Sequence, residues 1–145
     1  MQVYEIMNVD IKTISKDSSI LEAMKIMKEK NTDFLIIIED GKILGEITEH
    51  DIFLNLTKEI STSTKIKKIM KQYVLTINEN DDVIEASDLM GRCLTKKLIV
   101  INDERNLTGI LTLEDIARNE YCEEFALDVL VEISCANQTN FNTNN

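Results

Sequence analysis

The chain carries one segment twice. Gly45-Glu46-Ile47-Thr48-Glu49-His50-Asp51 returns as Gly109-Ile110-Leu111-Thr112-Leu113-Glu114-Asp115. The matches extend upstream, pairing Thr13-Ile14 with Thr76-Ile77, Glu22-Ala23 with Glu85-Ala86, Met27 with Met90, and Ile36-Ile37-Ile38 with Ile99-Val100-Ile101. The offset is 63 positions up to Ile38 (76 − 13) and 64 from Gly45 onward (109 − 45), so one residue is gained between two matched strands. Such a repeat constrains the fold before any single residue does, because each copy must be one supersecondary unit. Two copies are too few for a solenoid. They predict a pseudo-twofold pair, with ligands to be sought in clefts between the copies.

With 145 residues, 43% of them hydrophobic, the chain has enough apolar material for one domain or two small lobes sharing a core. Aromatics are scarce at 5%, so Ile, Leu, Val and Met must build that core. The formal charge of −10 leaves no basic stripe to release counterions. Nucleic acid and anionic membranes are therefore excluded as expected partners, while a small phosphorylated ligand is not. Cys93, Cys122 and Cys135 lack the spacing of a zinc site and read as buried thiols of a reducing compartment. No apolar run approaches the roughly 20 residues that span a bilayer, and the N-terminus has no signal-peptide pattern. A soluble, cytoplasmic protein is expected.

Each copy reads as strand–helix–strand–strand–helix. In the first, Lys12 to Ser15 is a short strand and Ser19-Ile20-Leu21-Glu22 is a capping box that opens a helix. Phe34 to Ile38 is a buried strand, Asp40-Gly41 a tight hairpin turn, and Ile43 to Ile47 the returning strand. A second helix opens at Thr48 or Glu49. In the second copy Val74 to Ile77 is the strand, Asp82 caps the helix, and Leu98 to Ile101 and Leu107 to Leu111 form the hairpin. One long helix is expected from Leu113 to Ser134. The fold class is α/β. Expected boundaries are 1–59 for the first repeat, 60–65 for a Ser/Thr linker, 66–120 for the second repeat, 121–136 for a helical extension and 137–145 for a disordered Asn-rich tail.

The repeated segment has its own chemistry. A strand ending in Gly-x-apolar-Thr, followed two residues later by Asp at a helix start, can bind an anion and a polyol. Glycine leaves room beside the backbone. The Thr hydroxyl and the helix-start amides point the same way, with the positive dipole end behind them. The Asp carboxylate can accept two hydrogen bonds, which suits a ribose diol. Thr-x-x-Asp is equally a plain capping box, and both readings stand at this point.

These doubled motifs, with an N-terminal Ile-Met followed by a Thr-Ile strand, resemble a tandem pair of CBS (cystathionine-β-synthase-type) domains from about Tyr4 to Asn119. The resemblance implies a cleft between paired repeats that binds adenosine nucleotides or S-adenosylmethionine and regulates an enzyme, channel or transporter. It places the ribose-binding carboxylate at Asp51 and Asp115, and the phosphate-contacting hydroxyl at Thr48 and Thr112. The base-lining strand maps to Thr13-Ile14 and Thr76-Ile77, and Ile47 and Leu111 precede the threonines. Lys97 stands where the family often has a cation before the apolar strand, whereas the first repeat has Asp33-Phe34 there. Glu46 replaces the family's apolar residue and is expected to turn to solvent by strand alternation. The second motif is thus the better candidate.

His50, between Thr48 and Asp51, is a candidate phosphate contact or an exposed first-turn residue. Glu79, Asp81 and Asp82 read as a solvated helix start rather than a metal site. The apolar positions Tyr121, Cys122, Phe125, Ala126, Val129, Leu130 and Ile133 cover the domain core and leave width for a dimer contact. No nucleophile–base constellation or phosphate loop points to an enzyme. The expectation is a stand-alone regulatory module that binds AMP, ADP, ATP or S-adenosylmethionine with no required cofactor, forms a homodimer and signals to a regulated protein. The alternative is a ligand-free dimeric scaffold.

Overall fold

The computed structural model describes the backbone of residues 1–143 and the side chains of residues 1–138. The chain forms two compact units, Asp10–Val74 and Met1–Val9 with Leu75–Asn145. The compact units are therefore shifted against the sequence repeats. Residues 1–9 pack with the body of the second repeat, and residues 66–74 pack with the body of the first. Val3 and Ile66 are the matched anchors of these lead segments (66 − 3 = 63), each in a three-residue 3-10 turn and each fully buried.

In the first-repeat unit, β1 (Thr13–Ile14) leads to α1 (Ile20–Lys30), β2 (Phe34–Glu39), β3 (Lys42–Thr48) and α2 (Glu49–Leu56). The sheet order is β1-β2-β3, with β1 parallel and β3 antiparallel to β2. Ser19 caps α1 with the predicted box: its hydroxyl accepts from the Glu22 amide at 3.1 Å and the Glu22 carboxylate accepts from Ser19 N at 3.0 Å. Asp40 and Gly41 take φ values of 52° and 77°, as a mirror-type hairpin turn requires. Ile14, Ile20, Ala23, Met27, Leu35, Ile37, Ile47, Ile52 and Ile66 close the core.

The second-repeat unit follows the same plan with β4 (Thr76–Asn78), α3 (Val83–Cys93), β5 (Lys97–Ile101), β6 (Leu107–Thr112) and α4 (Leu113–Arg118). Its sheet order is β4-β5-β6. Asp82 caps α3, accepting from Ile84 N at 2.8 Å. That backbone hydrogen bond, helped by the Met1 ammonium, holds the Asp82 carboxyl below the ordinary range. Asp81 and Glu79 accept through their carbonyls from Val3 N and Tyr4 N, so the acidic cluster ties the lead segment down.

Three expectations are corrected. The long last helix is broken: α4 ends at Arg118, Asn119 is extended (φ −89°, ψ 117°), and α5 runs Glu123–Thr143. The Asn119 side chain accepts from Tyr121 N at 3.0 Å, a local hydrogen bond that competes with helix continuation. Helical backbone also extends past Asn137 to Thr143, because propagation from a docked helix costs far less than nucleation. Residues 144–145 of the expected tail lie outside the described residues. Of the three thiols only Cys122 is buried, and burial pushes its pKa up, while Cys93 and Cys135 are exposed.

α5 covers the helical side of its unit. Cys122, Ala126 and Val129 enter the core with Val83, Ala86, Met90 and Ile116. No helix among the described residues is long and apolar enough to cross a membrane.

Candidate functional site

Both copies of the repeated motif sit where a strand hands over to a helix. In the second-repeat unit Thr112 is the N-cap of α4: its hydroxyl oxygen accepts from Asp115 N at 3.2 Å, and Asp115 Oδ2 accepts from Thr112 N at 2.9 Å. The Thr112 hydroxyl also lies 2.8 Å from the same Oδ2. The first-repeat unit repeats the box at 3.1 Å in both directions between Thr48 and Asp51. The capping reading is thus correct for both copies. It does not use up the carboxylates, because the cap engages Oδ2 and leaves Oδ1 directed elsewhere.

Where Oδ1 points differs. Asp51, only 7% exposed, places Oδ1 3.3 Å from Lys71 Nζ. Asp115 has Oδ1 3.9 Å from an Arg118 guanidinium that is largely in solvent. Sequence reasoning singled out neither cation. Lys71 was findable, since Ile69-Met70-Lys71 repeats Ile6-Met7-Asn8 at the 63-residue offset (71 − 8) and sets a lysine opposite an asparagine.

The same alignment explains the motif glycines. Asn8 bridges Ile110 on β6, and Lys71 bridges Glu46 on β3, each through a pair of backbone hydrogen bonds of 2.8–3.0 Å. A Cβ on Gly45 would run into the Lys71 carbonyl oxygen, and one on Gly109 would lie 2.6 Å from Met7 Sδ and 3.1 Å from the Asn8 carbonyl. The space that glycine leaves therefore admits the chain's own lead segment rather than a ligand. Glu46 also departs from expectation. It is half-buried with Oε2 out of solvent instead of turned outward, because the bridge to Lys71 covers that edge of β3.

The remaining candidates separate into groups. Lys97 is the cross-strand partner of Thr112, and Phe34 is the partner of Thr48. Directly opposed residues project from the same sheet face, so the second repeat sets a cation beside its Thr where the first sets an aromatic ring. Thr13 and Thr76 stand on β1 and β4, opposite Ile36 and Ile99. Ile14, Ile77, Ile47 and Leu111 are buried, Ile14 and Ile77 less completely than the other two. His50 is exposed on α2 and lines a groove between α1 and α2 that neither Thr48 nor Asp51 lines. Among the described residues, no cluster of three or more His, Cys, Asp or Glu side chains could hold a metal ion.

The chemistry available at each junction is a capped helix start, a carboxylate oxygen spared by the cap, and a cation within 4 Å of it. A CBS domain family model matches residues 3–58 and 66–121, both copies in full. The chain belongs to the CBS domain family. A CBS domain-containing protein, YhcV of Bacillus subtilis, is 31% identical over 136 residues, covering 93% of this chain and 96% of that protein. Seven other curated relatives are longer, and the chain spans only 20–44% of their length. Among solved structures, the CBS domain pair of protein MJ0100 in complex with 5'-methylthioadenosine and S-adenosyl-L-methionine is 32% identical with a TM-score of 0.71, over 81% of this chain and 94% of that one. The CBS domain protein PAE2072 from Pyrobaculum aerophilum, complexed with AMP, has a TM-score of 0.75 at 15% identity, over 93% of this chain and 99% of that one. At that identity the likeness shows the fold alone.

Proposed function

We propose that this CBS pair is a regulatory module that binds an adenosine-containing ligand, AMP, ADP, ATP or S-adenosylmethionine, and passes the signal to a partner protein without catalysing a reaction. It acts in the cytoplasm as a homodimer. The observation that carries this is the repeated junction, in which the cap holds a carboxylate in place, buried at Asp51 and partly buried at Asp115, and spares one of its oxygens. A fixed carboxylate oxygen beside helix-start amides suits a ribose with a phosphate or other anionic group nearby. Asp115 and Thr112 would hold ribose and phosphate, with Lys97 as counter-charge. Thr76 and Ile77 would lie toward the base. Asp51, Thr48, Thr13 and Ile14 form the weaker counterpart, since Phe34 stands where Lys97 does. Similarity to the CBS pair of MJ0100, solved with 5'-methylthioadenosine and S-adenosyl-L-methionine, supports the ligand class.

A ligand-free scaffold is the competing reading, favoured in the first repeat by Phe34 opposite Thr48 and by the half-buried Glu46. Thermal unfolding with AMP, ADP, ATP and S-adenosylmethionine, each with and without Mg²⁺, separates the two. A ligand at 100 times its dissociation constant adds roughly 2.7 kcal/mol, which raises the midpoint by about 5–10 °C in a domain of this size. A rise with one adenosine ligand is expected. No shift with any of them at millimolar concentration would favour the scaffold.

A further inference from the structure

The two junctions carry opposite charge, and each runs against the unit that holds it. Of the chain's 16 basic and 26 acidic residues, Asp10–Val74 contains 11 of each, so that unit is formally neutral. The other unit has 5 basic (16 − 11) and 15 acidic residues (26 − 11), and the whole formal charge of −10 resides there. Yet three of those five cations, Lys96, Lys97 and Arg118, gather at the Thr112–Asp115 junction. Lys97 stands across from Thr112, and the Lys96 carbonyl accepts from Leu113 N, the first residue of α4, at 2.8 Å. The Arg118 guanidinium lies 3.9 Å from Asp115 Oδ1. Glu114 and Asp115 are the acids set against them.

The neutral unit does the reverse. Its Asp33 carbonyl accepts from Glu49 N at 2.8 Å, the contact that Lys96 makes with Leu113 in the second repeat. Position by position, Asp33 replaces Lys96 and Phe34 replaces Lys97, at the offset of 63 (96 − 33). Glu46 replaces Ile110, Glu49 replaces Leu113 and Leu54 replaces Arg118, at the offset of 64 (118 − 54). Each of these changes removes a positive charge or adds a negative one. Only Lys71 for Asn8 and His50 for Glu114 run the other way. With His50 counted as neutral, the first junction sets Lys71 against Asp33, Glu46, Glu49 and Asp51, a formal charge of −3 (1 − 4). The second carries +1 (3 − 2). Glu46 is the most intimate of these acids. It lies two residues before Thr48 on β3 and therefore shares its sheet face. The same row continues across the sheet through Ile36 to Thr13, where the second repeat has Ile110, Ile99 and Thr76.

We propose that these charges make the two junctions select different adenosine ligands. The Thr112–Asp115 junction takes a phosphorylated nucleotide. The Thr48–Asp51 junction rejects phosphate and takes a phosphate-free adenosine that carries positive charge, as S-adenosylmethionine does. A phosphate monoester bears roughly −1.5 to −2 charges near neutral pH, so three cations attract it at the second repeat and Asp33, Glu46 and Glu49 repel it at the first. A site discriminates as much by what it repels as by what it attracts. S-adenosylmethionine presents a sulfonium and an ammonium against a single carboxylate, and Glu46 and Asp33 are the counter-charges for them. Glu46 is thereby the specificity-determining residue of the first repeat. The inference rests on the adenosine reading above and adds which repeat takes which ligand.

Isothermal titration of the full chain with AMP and, separately, with S-adenosylmethionine tests it. AMP is expected to bind at one site per chain, to lose about tenfold or more in Asp115→Ala, and to lose less in Asp51→Ala. S-adenosylmethionine is expected to show the opposite order. Asp33→Lys combined with Glu46→Ile sets the second repeat's own residues into the first. That chain is expected to take up a second equivalent of AMP and to bind S-adenosylmethionine about tenfold more weakly. Asp33 is exposed, so Asp33→Lys alone keeps the fold and is expected to move both affinities in the same directions by less. If S-adenosylmethionine binding ignores Asp51→Ala, or the exchanged chain admits no second AMP, the charge selection is overturned while adenosine binding stands. If neither ligand binds at millimolar concentration, both readings fall.

Discussion

Two strand-to-helix junctions with the same capping box end in different electrostatic settings. At Asp51 the carboxylate oxygen spared by the cap meets Lys71 at 3.3 Å in a largely buried position, and Phe34 stands across from Thr48. At Asp115 the corresponding oxygen lies 3.9 Å from the solvent-exposed Arg118, and Lys97 stands across from Thr112. The cation in the first repeat is thus bound to the carboxylate that a ribose would need. In the second repeat a cation stands beside the hydroxyl that a phosphate would need. A duplicated motif can keep its local geometry while the charges around it divide the work.

Breaking the comparison at its backbone gives the largest expected effect. Gly45→Ala drives a Cβ into the Lys71 carbonyl, which cannot move without losing the bridge to Glu46. Overpacking of that kind costs about 3 kcal/mol. Gly109→Ala meets first a flexible Met7 side chain and is expected to cost about 1 kcal/mol. Urea unfolding of the two variants measures the difference, and equal losses would show that the two bridges are equally yielding.

Ligand binding sharpens the comparison next. Asp115→Ala is expected to weaken binding of the adenosine ligand well over tenfold, on the order of 2 kcal/mol, by removing a charged acceptor. Asp51→Ala should weaken it less. Isothermal titration of both variants decides, and unchanged affinity in Asp115→Ala would remove that residue from the site.

Lys71→Ala tests the internal ion pair itself. Removing a half-exposed partner from a buried carboxylate is expected to cost about 1 kcal/mol, read as a lower thermal midpoint. If adenosine ligands bind the first repeat by displacing Lys71 from Asp51, the same variant binds them more tightly.

The smallest effect lies at the ends of α1 and α3. Both stop at a left-handed residue, Asn31 (φ 52°) and Leu94 (φ 53°), again 63 apart (94 − 31). Asn adopts that conformation at little cost and Leu at a larger one. Leu94→Asn is therefore expected to stabilise the second-repeat unit by about 0.5–1 kcal/mol in urea unfolding.

Much of this was legible in the residues. Ser19, Asp82, Thr48 and Thr112 announce helix starts, because capping is a contact between positions two or three apart. Asp40-Gly41 announces its turn, because only a few residue types accept two positive φ angles. The strands between them follow from short β-branched runs. The family likeness is equally local, since it rests on two ordered runs of motif residues.

What the order of residues could not supply were the contacts between distant segments. Which oxygen of Asp51 is spared, and that Lys71 meets it, depends on a bridge between Glu46 and Lys71, 25 positions apart (71 − 46). The role of Gly45 and Gly109, the burial of Glu46, and the pairing of each lead segment with the other repeat's body have the same origin. So does the choice of the second repeat as the seat of α5, where Gly91 and Ser87 admit a helix that Lys28 and Met24 would exclude. Capping and turn chemistry act over a few bonds and so can be read along the chain. Steric room and charge pairing are set by neighbours in space, and only the folded arrangement decides those.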